Sequence, residues 1–119
     1  MKKYNLNSTW KYCVEMWDWI AKVWGTPRYK HFGVWRLKQM WRKKHGFEVG
    51  ETAADDCFFC VYAGYKGLVR IPCSKCPGRL VSKHFDCFNT AYHWYSKPVK
   101  FAAEINRLNK IRKGKPITR

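Results

Sequence analysis

Two C-x-x-C pairs, Cys57-Phe-Phe-Cys60 and Cys73-Ser-Lys-Cys76, are separated by twelve residues in a chain of 119, and they narrow the accessible folds more than any other feature. A two-residue gap lets both thiolates of a pair converge on one ion, and four soft ligands complete the tetrahedron that zinc takes, at about 2.3 Å per sulfur. The spacer VYAGYKGLVRIP carries β-branched and aromatic residues around Gly64 and Gly67, the composition of two short strands and a turn. The expectation is a zinc-ribbon-like β-hairpin with Cys57, Cys60, Cys73 and Cys76 as ligands. Cys87 and His84 follow closely behind, and either could replace one of the four. A redox dithiol is the competing reading, but a thioredoxin-like site needs a βαβ context that the pattern lacks. A closed four-thiolate site has no open coordination position, so its zinc stabilises rather than catalyses, by on the order of 10 kcal/mol in small finger peptides.

Thiols persist as metal ligands in a reducing compartment. The opening MKKYNLNSTWKYC has no continuous apolar core or small-residue cleavage site, and no run of eighteen apolar residues occurs. A soluble, cytoplasmic protein is expected on that reading. The length accommodates one domain.

Helices are expected on both sides of the cysteines. From Ser8 to Trp24 the apolar residues Trp10, Cys13/Val14, Trp17, Ile20/Ala21 and Trp24 recur at helical spacing, capped by Asn7 or Ser8 and ended by Gly25 and Pro27. Cys13 reads there as a buried small hydrophobe. Residues 28–45 hold seven Lys or Arg and no acid, with a weaker stripe at Val34, Leu37 and Trp41 and Gly46 as the C-terminal stop. Residues 47–56 reverse the charge with four acids and read as a linker. After the knuckle, 57–87, a last helix capped by Ser96 uses Phe101, Ala102, Ile105 and Leu108, and a basic tail follows within 88–119. The expected architecture is thus a single small α+β domain, with amphipathic helices around a zinc hairpin.

Charge points to the partner. Twenty-four Lys and Arg against eight Asp and Glu give a formal +16, well beyond the magnitude of about 2–8 that keeps a small domain soluble. Nucleic acid is the expected partner, held by Arg36, Lys38, Arg42, Lys43 and Lys44 of the middle helix and Arg107, Lys110, Arg112 and Lys113 of the last. Trp35, Tyr29 or Tyr65 would be available for stacking. No reading helix or sequence-specific motif is evident, so little base selectivity is expected. The segment from His84 through Asp86 and Asn89 to His93 invites comparison with zinc-braced HNH nucleases, but the acid–histidine order and hairpin of those sites are missing. A non-enzymatic binding role is expected.

In order along the chain, WKYCVEMWDWIA, CFFCVYA, CSKCP, Cys87, Tyr92 with Trp94, and KFAAEINRLNKI resemble a group of short cysteine-rich bacteriophage proteins of mostly unassigned function. The likeness spans nearly the whole chain, and its specific part is the paired cysteines with Pro77. It implies zinc, a phage origin and a place in the cytoplasm of an infected bacterium, and it transfers no activity. This chain departs from that group, whose members are often acidic or near neutral, in its charge. The expected function is that of a small basic accessory protein on nucleic acid. The alternative is a host-takeover or counter-defence factor that binds and inhibits an acidic host protein.

Overall fold

The computed structural model describes residues 5–47, 58–59, 76–87 and 89–114. Four helices are defined there: α1 (Leu6–Val23), α2 (Val34–Lys44), α3 (Pro77–Val81) and α4 (Pro98–Arg112). Helix α1 packs along α4 and against α2, and the short α3 sits on α4.

The stripe on α1 does the packing. Trp10, Cys13, Met16, Trp17, Ile20 and Val23 are buried, and each large one contributes roughly 1.5–3 kcal/mol over its exposed state. Trp24, read as the last member of the stripe, lies past the helix end and is 37% exposed. The cap is Asn5 rather than Asn7 or Ser8: its side chain accepts the Ser8 N–H at 2.9 Å, and its carbonyl accepts from the Thr9 N–H at 2.8 Å. The helix stops at a turn closed by the Thr26 N–H donating to the Val23 carbonyl at 3.0 Å, with Gly25 at φ 77°. Only glycine takes that backbone region at no steric cost. Gly46, at φ 80°, ends α2 as expected.

Helix α4 buries Phe101, Ala102, Ile105 and Leu108. Its N-cap is Lys97, without a side-chain cap bond, and Pro98 fills the first turn where no N–H is needed. Ring contacts join the helices: Trp17 meets Phe101 edge-on at 4.6 Å, and Trp10 meets Phe59 at 4.8 Å.

The expected α+β class is corrected. All regular structure among the described residues is helical, with no strand or sheet, so the α+β class gives way to a helical one there. The middle residues of the first cysteine pair show why. Phe58 and Phe59 are in helical conformation and buried at 0% and 3% exposure, Phe58 against Tyr12 of α1 and Trp41 of α2, and Phe59 between Trp10 of α1 and Phe85. Aromatic content favours a strand only where a pleated surface is there to pack on. The second pair leads into α3, with the Leu80 N–H donating to the Cys76 carbonyl at 3.0 Å. The spacer 61–72 itself lies outside the described residues. Phe47, expected to open the linker, is instead a core residue against Phe58 at 5.0 Å.

Candidate nucleic-acid interface

Helix α2 sorts its own cations. Val34, Leu37, Lys38, Trp41 and Arg42 fall at i, i+3, i+4, i+7 and i+8 and are all buried, so two of the cations expected on the surface belong to the core face. The Lys38 ammonium lies 4.8 Å from the Trp94 ring centre and 5.9 Å from that of Trp17. The Arg42 guanidinium lies 4.6 Å from Phe58 and 5.4 Å from Phe47. Aromatic faces carry negative quadrupole charge, so these rings offset part of the cost of taking a cation from water. Lys38 and Arg42 are therefore structural, on the inner face of the helix.

The rest of the α2 surface is cationic and open. Arg36, Lys43 and Lys44 are exposed, as are Arg28 and Lys30 before the helix. No Asp or Glu occurs between residues 19 and 47, and among the described residues no carboxylate pairs with any of these five. Two clefts border this surface. Arg36, Gln39, Met40, Lys43 and Phe47 line one of about 400 Å³. The second, of about 250 Å³, lies between Trp19, Arg28, Tyr29 and the Met40–His45 end of the helix, so Met40 is common to both. His45 stacks on Trp41 at 4.0 Å, with its Nδ1 2.8 Å from the Trp41 carbonyl oxygen. Trp19, off the main stripe of α1, meets Tyr29 edge-on at 5.6 Å. Trp35 is half-buried, and Tyr65 lies outside the described residues.

The C-terminal set is largely engaged. Arg107 makes a two-pronged ion pair with Glu104, at 2.8 and 2.6 Å, which holds its guanidinium above the usual arginine pKa. Arg112 donates to Asn7 at 2.7 Å and to Asn109 at 3.1 and 3.3 Å, over the Trp10 ring at 5.3 Å. Burial pushes its pKa down, and it ties the start of α1 to the end of α4. Lys110 and Lys113 remain exposed. The groove beside them, about 600 Å³, contains Lys11 but also Glu15. A cationic surface free of acid is thus found on α2 and not here.

Of the expected zinc ligands, Cys57, Cys60 and Cys73 lie outside the described residues, and Cys76 is partly buried at the cap of α3. Cys87 is partly buried and His84 exposed. Among the described residues no three His, Cys, Asp or Glu gather closely enough to hold a metal ion and no strand is present, so the zinc-ribbon reading is corrected. Cys13 is buried on α1 as expected. No described helix is long and apolar enough to cross a membrane.

Trp19 and Arg28 were not among the residues expected to hold nucleic acid. Their signal is the absence of acids, which extends upstream of α2 as far as residue 19. No protein-family model matches the chain, and no curated protein or solved structure is similar to it.

Proposed function

We propose that the protein binds nucleic acid through the outer face of α2 and the turn before it, without catalysing a reaction and with little base selectivity. One observation carries this reading: Arg28, Lys30, Arg36, Lys43 and Lys44 face solvent together within an acid-free stretch. Phosphates are the ligand such a surface favours, since each contact releases condensed counterions. The test is a titration of labelled duplex DNA, single-stranded DNA and RNA at about 50 and 200 mM salt. With five phosphates contacted, affinity falls on the order of several hundredfold across that range. Absence of salt-sensitive binding to all three rejects this function and favours an acidic host protein as the partner.

Zinc held by Cys57, Cys60, Cys73 and Cys76 is proposed on the spacing of the pairs alone, without the hairpin of a ribbon. Stoichiometric zinc in purified protein is the expected result of elemental analysis. A folded, metal-free protein removes the proposal.

A further inference from the structure

We infer that the cleft between Trp19, Tyr29 and the C-terminal end of α2 is a subsite for one unpaired nucleotide of a single strand. Its base would lie against the aromatic wall, and its phosphate between Arg28 and Lys44. The inference rests on the nucleic-acid reading above and deepens it.

Three observations converge on this cleft. Its aromatic wall is half-buried and braced: Trp19 and Tyr29 hold each other edge to face at an 80° angle, and Tyr29 also meets Phe32 at 6.2 Å. Braced rings lose little side-chain entropy when a base packs on them. Its charged rim is of one sign, with Arg28 and Lys44 exposed on either side and no acid in the surrounding stretch. The Arg28 guanidinium already lies 5.5 Å from the Tyr29 ring centre, so cation and aromatic face lie within the reach of one nucleotide. Finally, Met40 also lines the second cleft, whose other side carries Arg36 and Lys43 along α2.

These features select a strand over a duplex. In a duplex the base faces are closed against each other by stacking and only edges and phosphates are exposed, whereas an unpaired base exposes a face that an aromatic side chain can take. Arg36 and Lys43 at the second cleft give neighbouring phosphates somewhere to go, which a free nucleotide would leave unused. Base identity matters little, because every base has such a face.

The experiment compares the full-length protein with Tyr29→Leu and Tyr29→Phe against labelled oligothymidylate, a hairpin duplex and adenosine monophosphate as competitor, with circular dichroism confirming the fold of each variant. Stacking on an aromatic residue accounts for roughly tenfold to a hundredfold in affinity per base. Tyr29→Leu therefore weakens oligothymidylate by that factor and changes duplex binding less than twofold, and Tyr29→Phe restores the single-strand affinity. Because a folding defect in Tyr29→Leu would blunt the comparison, an iodouracil-substituted oligonucleotide is also photocrosslinked to the wild-type protein, where the adduct is expected on Trp19 or Tyr29. Equal loss for strand and duplex, no loss for either, or crosslinks confined elsewhere overturns the subsite while leaving nucleic-acid binding in place. Displacement by the mononucleotide at the same concentration as by the oligonucleotide assigns the cleft to free nucleotides and overturns the strand. If the wild-type protein binds none of the polymers, the broader function fails and the subsite falls with it.

Discussion

Arg42 and Lys43 are neighbours in sequence and opposites in environment. A step of about 100° around α2 takes one guanidinium onto the Phe58 and Phe47 rings at 4% exposure and leaves the next ammonium in water. Arg42→Ala should cost about 2–4 kcal/mol in denaturant unfolding, since it removes a desolvated cation–aromatic contact and opens a void. Lys43→Ala should stay within about 0.5 kcal/mol. A comparable loss from both would mean that burial does not separate their roles. Tyr92 offers a test by pH. Burial, with the Glu104 and Asp86 carboxylates adding to it against a hydrogen bond from the Asp86 backbone, holds its phenol above the ordinary tyrosine value of about 10. Folding therefore favours the protonated phenol. The stabilisation is full below the unfolded value and is lost as pH rises through the folded one. Tyr92→Phe should accordingly lose less stability than the wild type on alkaline titration, as followed by the chemical unfolding midpoint from about pH 9 upward.

At the level of the element, helix ends separate what is local from what is not. The N-terminus of α1 is satisfied by Asn5, so Asn5→Ala should lower stability by about 1 kcal/mol, while Asn7→Ala should cost only what its bond to Arg112 contributes. Equal thermal shifts for an Asn5→Ser variant and Asn5→Ala would remove the capping role. Helix α3 depends on close approach instead. A Cβ on Gly78 would stand 2.7 and 2.8 Å from the Phe85 ring and 3.2 Å from Phe59. Gly78→Ala should therefore destabilise by about 1–3 kcal/mol, because two buried rings must shift. An unchanged melting temperature would show that this corner of the core is loosely packed. The stripes of α1 and α4 and the stops at Gly25 and Gly46 were legible in the sequence because each depends on residues within a turn or two. The caps of the same helices were misplaced by two or three residues at α1 and by one at α4, since several polar residues there could serve and the apolar stripe does not choose among them.

Across the whole molecule, the charge that dominates the sequence is divided by the fold. Of the nine cations expected to bind nucleic acid, Lys38 and Arg42 are buried, Arg107 and Arg112 are held by Glu104 and by two asparagines, and Arg36, Lys43, Lys44, Lys110 and Lys113 remain exposed. Among the described residues, exposed cations without nearby acids are therefore concentrated on α2 and the turn before it. Replacing Arg36 and Lys43 together by alanine should reduce the slope of log affinity against log salt by about two, and weaken all sequences alike. Replacing Lys110 and Lys113 should have the smaller effect in the same titration. The reverse ranking would move the interface to α4.

The amino-acid sequence alone determined that the protein carries amphipathic helices at its start, middle and end, where they stop, and that acid is missing from residues 19 to 47. Helical period, glycine conformations and net charge are properties of nearby residues and need no fold to be read. Tertiary structure alone decided that Phe47, Phe58, Phe59 and Phe85 join one helical core in place of a sheet, and which basic side chains reach solvent. Lys38 is covered by Trp94 and Arg42 by Phe58. Those rings come from distant parts of the chain, so only packing could bring them over a cation and take it out of water.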